Sequence, residues 1–275
     1  MPPSDDVVAS TDNPLAGTPP PRPGDGYVQS FARGLGVIAS FGAAAPRQTL
    51  TEVAQRTGLT RAGARRILLT LEALGYVAAE GRHFALTPKI LDLGFAYLSS
   101  LPLWHLAEPT MSRLVGDVKE SCSAAVLDGS EIVYVLRVPT RKIMSINLGI
   151  GSRLPAYCTS MGRVLLAGLP PAQVTQILGK TDLPKLTRHT ITKPPALAKL
   201  VDAARKQQWC LVCEELEEGL ISLSVPVLDR SGHCVAAMNI SSQLNRTPPA
   251  HMIEHFLPKL QAAAAEISSL LRIRP

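Results

Sequence analysis

From Tyr27 onward the chain moves between two hydrophobic rhythms. The first third repeats apolar residues at helical spacing. Phe31, Leu35 and Ile38 point one way behind Ser30, which predicts a helix capped by that serine. Leu50, Val53 and Ala54 mark a second, shorter helix, and Thr49 and Glu52 have capping-box spacing at its start. Gly58 breaks it, because a residue without Cβ takes positive φ cheaply. Leu59 plugs the turn. Thr60 can cap a third helix whose buried stripe is Ala64, Ile67, Leu68 and Leu71. The rhythm then changes to period two. Tyr76–Ala79 and His83–Leu86 read as strands around the tight turn Glu80-Gly81. Three helices followed by a hairpin make a winged helix-turn-helix.

A connector comes next. Thr87 can cap a helix opening at Pro88, with Ile90, Leu91, Gly94, Phe95 and Leu98 on a broad apolar side. Ser99-Ser100-Leu101-Pro102 breaks it. A long amphipathic helix follows, with Leu103, Leu106, Met111, Leu114 and Val118 on one side and a kink expected at Pro109. So apolar a connector, with little of its own domain to pack against, predicts pairing with a second subunit.

The remainder reads as one α+β domain. Ser123–Leu127 and Ile132–Val138 are strands around Asp128-Gly129-Ser130, and Ile143–Ile150 is a third. Leu220–Leu228 and Cys234–Ser241 form another pair. Helices at Thr159–Leu169, Pro171–Leu178 and Leu197–Gln208 lie between, and a last helix runs from Pro249 to Leu271. Strands grouped at both ends imply an antiparallel sheet with helices packed on it. Residues 1–26, rich in Pro, Asp, Gly, Ser and Thr, are expected to be disordered. The expected domains are therefore the leader 1–26, the winged helix-turn-helix 27–88, a linker helix 89–102 and a C-terminal domain 103–275.

Charge gives the N-terminal module its function. Arg61, Ala62, Arg65 and Arg66 crowd the start of the third helix, with no acid before Glu72. Cations there oppose the helix dipole, a repulsion that DNA phosphates would relieve. Arginine can also grip guanine O6 and N7 with two hydrogen bonds. Gly63 weakens the helix by roughly 1 kcal/mol against alanine, yet lets its backbone approach a base pair. Arg82 and His83 sit where a wing tip would meet phosphate or the minor groove. Between Tyr27 and Leu98 there are eight Lys/Arg against four Asp/Glu. Taken without the hairpin, the same arginines fit a solvated face of a helical pair.

Composition narrows the alternatives. The chain has 275 residues and a net charge of +6, with pI ≈ 9.2, compatible with a nucleic-acid partner. Its 5 cysteines are odd in number and scattered through apolar segments, which predicts reduced core thiols and a cytoplasmic setting. Cys210 and Cys213 have C-x-x-C spacing but no second pair to complete a zinc site. His251, Glu254 and His255 match an H-x-x-E-H string, read here as a solvated helix face without a third ligand. Gly34 and Gly36 are half of a dinucleotide fingerprint inside a helical pattern, and are read as close helix packing. No signal peptide, membrane span, catalytic elbow, metal or cofactor is expected.

In the C-terminal domain the informative signal is polarity at positions that should be dry. Ser222 and Ser224 alternate with Ile221, Leu223 and Val225; Asn239 and Ser241 alternate with Met238 and Ile240. Period two puts each pair on one face of its strand. Alternation alone also describes the wet side of a sheet. The loop Tyr157–Arg163 opens a helix whose free N–H groups offer an anion seat, which together with hydroxyls suits a small carboxylate. Arg137, Arg141 and Arg153 are charge-partner candidates.

In order and at correct spacing, YVQSFARGLGVI, LTRAGARRILLTLEALGYV, GSRLPAYCTSMGRVLLA and EEGLISLSVPVLDRSGHCVAAMNIS resemble the IclR family of bacterial transcriptional regulators. The resemblance covers about Tyr27 to Arg272. It is greatest to the branch controlling aromatic-acid breakdown through protocatechuate and β-ketoadipate. It implies a GAF/PAS-like effector domain behind the winged helix, and dimers or tetramers on palindromic operators in double-stranded DNA. By position it assigns effector contacts to Ser160, Met161 and Gly162, then Ser222, Asn239 and Ser241. Many members carry Gly-Ala in place of Ser160-Met161 and a small apolar residue in place of Ser224. Both departures bear on the ligand.

The combined expectation is a non-enzymatic regulator. Thr60, Arg61, Ala62, Gly63, Arg65 and Arg66 meet DNA, Arg82 assists, and the effector is a small carboxylate, an aromatic acid or a ring-cleavage product. Two rivals remain: an enzyme acting on its small molecule, and a constitutive DNA-binding protein with a purely structural second domain.

Overall fold

A computed structural model describes residues 26–100, 103–140 and 148–273. The leader up to residue 25, the break at Leu101-Pro102, Arg141 and most of the strand expected at Ile143–Ile150 lie outside the described residues. The chain divides after Tyr97 into two compact units.

The first unit is a winged helix-turn-helix. It comprises α1 (Gln29–Ala39), β1 (Arg47–Thr49), α2 (Leu50–Thr57), α3 (Arg61–Ala73), β2 (Val77–Glu80) and β3 (His83–Leu86), then a 3-10 turn at Pro88–Ile90 and all but the last three residues of α4 (Leu91–Ser100). Thr49 and Glu52 form the capping box, and Gly58 ends α2 at φ 64°. Thr60 caps α3 by accepting from the Gly63 N–H at 3.1 Å. Thr60→Ala is expected to cost about 1 kcal/mol, read from the denaturant midpoint of the N-terminal transition in the full chain. An unmoved midpoint would refute the cap.

Gly81 takes φ 63° at the first central position of the two-residue β2–β3 turn, where a Cβ would be strained. The wing gains a third strand, because β1 pairs with β3 through Gln48 opposite Phe84. Val37, Val53, Ala64 and Leu68 are fully buried at the centre of the unit.

Three local expectations need correction. Val28, not Ser30, is the N-cap of α1, with no side-chain cap bond; Ser30 already lies inside the helix. Thr87 caps nothing. Its hydroxyl donates instead to the Gly75 carbonyl at 2.5 Å, tying the chain after the wing to the end of α3. Gly34 and Gly36 are not close-packing residues here, since an added Cβ would meet nothing within 4 Å.

The second unit holds α5 (Leu103–Val118), β4 (Ser121–Asp128), β5 (Glu131–Val138), β6 (Arg153–Pro155), α6 (Ser160–Ala167), α7 (Pro171–Lys180) and α8 (Pro194–Gln207). It continues through β7 (Cys210–Cys213), β8 (Leu220–Leu228), β9 (Cys234–Gln243), α9 (Pro249–His251) and α10 (Leu257–Ile273). Its six strands form one antiparallel sheet in the order β6-β5-β4-β9-β8-β7, the α+β class expected.

The sheet has two unlike faces. Cys122, Leu223, Val225, Met238 and Ile240 pack with Met111 and Leu114 of α5 and Leu260 and Ile267 of α10 in one dry layer. The opposite face carries Ala125, Tyr134, Val212 and Ala237, and packs against α6, α7 and α8. Pro109 lies inside α5, and the last helix runs unbroken from Pro249 to Ile273 as expected, with a π stretch at Met252–Phe256 joining α9 to α10. No helix among the described residues is long and apolar enough to cross a membrane.

Candidate functional site

On α3 the side chains of Arg61, Ala62 and Arg65 are exposed along one face, and the Thr60 cap at its start is exposed too. Arg82 is exposed at the β2–β3 turn. None of Arg61, Arg65, Arg66 and Arg82 forms an ion pair among the described residues, whereas Arg47 is held by Glu80 at 2.9 Å. Arg66 lies at the edge of the face, bordering an apolar groove lined also by Phe31, Leu35, Leu59, Ile67 and Leu74. Gly63 is half-buried, and a Cβ there would stand 3.2 Å from the Thr60 hydroxyl, so its immediate role is to fit the cap. Leu69 is 42% exposed one turn beyond Arg65, an apolar position on the arginine face that the sequence reading left out.

In the second unit, Ser222 stands opposite Ser241 and Ser224 opposite Asn239. This face is not wet: α6 covers it. Ser160 donates to Ser222 at 2.9 Å and lies 2.6 Å from the Ser224 hydroxyl. A serine has one O–H, so Ser224 donates to Ser160. Asn239 Nδ2 donates to Ser222 at 3.0 Å and to Ser241 at 2.8 Å, and Oδ1 accepts from the Ser123 N–H at 3.0 Å. Ser222 and Ser241 are 3.0 Å apart. The row continues sideways, since Ser123 pairs with both Asn239 and Arg137, and Arg137 donates to the Ser123 hydroxyl at 3.4 Å.

This network borders a cavity of about 40 Å³, lined also by Tyr134, Arg137, Met161, Glu214 and Glu215. Burial pushes the Tyr134 phenol up to about 12, against the pull of Arg137, so at neutral pH it is an uncharged donor. Of the six expected effector residues, Ser160, Met161, Ser222, Asn239 and Ser241 line the cavity. Gly162 is a packing residue instead: its Cβ would fall 2.2 Å from the Ala156 carbonyl oxygen. Its N–H is also taken by the Thr159 hydroxyl at 3.2 Å, which occupies part of the expected anion seat.

Of the arginine candidates, Arg137 reaches the cavity, while Arg153 is tied to Glu131 at 2.8 Å and Asp128 at 2.6 Å. At the cavity wall, Glu215 belongs to a buried ion pair. Arg163 donates to both carboxylate oxygens of Glu215, at 2.7 and 2.6 Å, and to the Tyr157 carbonyl at 2.9 Å.

The two domains match known sequence profiles. Residues 30–81 match the IclR helix-turn-helix domain, and residues 95–269 match the bacterial transcriptional regulator IclR C-terminal domain. The chain belongs to the IclR family of bacterial transcriptional regulators. It is 41% identical over 242 residues to the Pca regulon regulatory protein of Pseudomonas putida, covering 88% of this chain and 83% of that protein. A transcriptional regulator from Rhodococcus sp. RHA1 superposes with TM-score 0.81 at 48% identity, over 89% of this chain and 98% of that one. The inducer-binding domain of a double mutant of PobR from Acinetobacter, in complex with 3-hydroxybenzoic acid, is 35% identical. It superposes with TM-score 0.58 over 62% of this chain and 98% of that domain.

Other candidate chemistry in this IclR regulator is structural. Cys210 and Cys213 face opposite sides of β7, one in each hydrophobic layer, so C-x-x-C does not bring the thiols together. Burial raises Cys158 and Cys234 to about 12 and Cys210 to about 11, far from reactive thiolates. His251, Glu254 and His255 are exposed. The Arg163–Glu215 pair escaped the sequence reading because 52 positions separate its partners.

Proposed function

We propose that this regulator binds an operator through Arg61, Arg65 and Arg66, with Arg82 assisting from the wing, and that a small carboxylate in the sensor cavity modulates that binding without chemical turnover. Thr60, Ala62 and Gly63 place the start of α3 against the groove, and Leu69 offers an apolar contact for a thymine methyl group.

The observation that carries the sensing role is the network of hydroxyl and amide groups from α6, β8 and β9, bordered by Arg137, facing a cavity inside the domain. An anion that parts their mutual bonds would meet several donors at once. The PobR inducer domain with its bound hydroxybenzoic acid, and the Pca regulon relative, favour an aromatic acid or ring-cleavage product as effector.

A homodimer, alone or paired into a tetramer, presents two reading heads to a palindromic operator. Val28, Phe31, Leu91 and Phe95 are more than half exposed, and the groove between α1, α3 and α4 encloses about 990 Å³. Such a patch marks an interaction surface. A bacterial regulator of this kind works in the cytoplasm, where the DNA is.

One observation favours the rival reading of a structural second domain. The cavity's 40 Å³ falls well short of the ~150 Å³ that takes up benzene, and its polar groups already satisfy one another. A thermal-shift screen of aromatic acids and ring-cleavage products on the full chain decides between them. At least one acid is expected to raise the melting temperature and change operator affinity. Asn239→Ala should blunt both effects while leaving ligand-free operator binding intact. No shift with any acid would favour the structural reading, and a normal response from the variant would remove Asn239 from the site.

A further inference from the structure

The cavity is polarised from one edge to the other. Arg137 approaches from β5, and Glu214 follows directly after β7. Four strand spacings separate those strands, about 19 Å at about 4.8 Å each. The hydroxyl network of Ser160, Ser222 and Ser241 lies between them.

The two glutamates on the far wall are not equivalent. The Glu215 charge is absorbed by the two-pronged contact with Arg163. Glu214 has no arginine among its described partners. Its Oε1 accepts from the Gly219 N–H at 2.8 Å, and Oε2 lies 3.5 Å from His189 Nε2. A carboxylate can accept about four hydrogen bonds, so capacity remains.

Glu214 is also held against its own backbone preference, at φ 57°, a left-handed conformation rare without glycine. Three bonds enforce it. Its N–H donates to the Leu220 carbonyl at 2.7 Å, its carbonyl accepts from the Thr187 hydroxyl at 2.6 Å, and its side chain accepts from Gly219. Outliers fixed in this way concentrate at ligand-contacting walls.

Resting on the sensing role proposed above, we infer that Glu214 is the specificity-determining residue of the cavity. It selects a monocarboxylate bearing a hydrogen-bond donor at the opposite end, such as a phenolic hydroxyl, and rejects a dicarboxylate. The ligand's carboxylate faces Arg137 and the serine–asparagine network, and its distal hydroxyl donates to Glu214. A second carboxylate would meet Glu214 as a like charge.

The test is calorimetric titration of the full chain with 4-hydroxybenzoate, benzoate and adipate. Wild type is expected to bind 4-hydroxybenzoate at least tenfold more tightly than benzoate, and at least a hundredfold more tightly than adipate. Glu214→Gln keeps an acceptor for the Gly219 N–H but removes the charge, and should narrow the preference over adipate at least tenfold. Adipate binding as well as 4-hydroxybenzoate, equal binding of the two benzoates, or an unchanged ratio in Glu214→Gln would each overturn the inference while leaving a carboxylate sensor in place. Failure of all three acids to bind would remove the sensing role as well. If the variant does not fold, the wild-type ratios decide.

Discussion

Arg65→Ala is expected to weaken operator binding by about 1–3 kcal/mol, roughly 5- to 150-fold, with no loss of fold. The side chain is exposed and makes no ion pair among the described residues, so its removal breaks nothing inside the subunit. Alanine is the best helix former, so α3 does not suffer. The pattern of the loss says which contact was made. A base contact costs affinity unevenly across operator variants and relaxes specificity at one position. A phosphate contact costs affinity evenly and lowers the salt dependence by about one counterion. Titrations of wild type and variant over a salt series separate the two. Identical affinities throughout would take Arg65 out of the interface.

Arg163→Ala should be as damaging, but to stability. The side chains of Arg163 and Glu215 are 3% and 8% exposed. Removing the arginine leaves a buried carboxylate whose remaining bond is from the Ile191 N–H at 3.2 Å. An uncompensated buried charge costs about 3–5 kcal/mol, which lowers the melting temperature by roughly 6–20 °C in a domain of this size. The pair also joins α6 to two loops, because the Glu215 carbonyl accepts from the Thr190 hydroxyl at 2.6 Å. Replacing both partners with apolar side chains, as Arg163→Met with Glu215→Leu, should recover most of the loss. A double variant that melts no higher than Arg163→Ala would show that the damage is not electrostatic.

These two arginines mark the boundary of what the sequence disclosed. The exposed place of Arg65 on α3 was legible because its neighbours in sequence define its surroundings: Thr49 with Glu52, Gly58 and Thr60 fix two helices within a dozen residues. Arg163 was not, because its partner arrives from a distant loop. The same reason hid β1 and β7, strands of three and four residues that exist only through pairing with β3 and β8. The alternation of Ser222 and Ser224, and of Asn239 and Ser241, with apolar neighbours placed each pair on one face correctly. Whether that face was wet or buried depended on α6, which period-two spacing cannot see. Gly162 looked like part of the ligand loop, yet its missing side chain serves the Ala156 backbone.

Under the sensing role proposed above, the self-satisfied serine cluster bears on how the domain would tell congeners apart. Any visitor competes with the protein's own internal partners, so occupancy begins by undoing something already stable. A molecule that parts Ser160 from Ser222 without filling both vacancies strands a buried hydroxyl, at about 1–3 kcal/mol for each. Near-misses are therefore refused more steeply than the right compound is welcomed, and this domain gives up sensitivity to gain a low rate of false alarms.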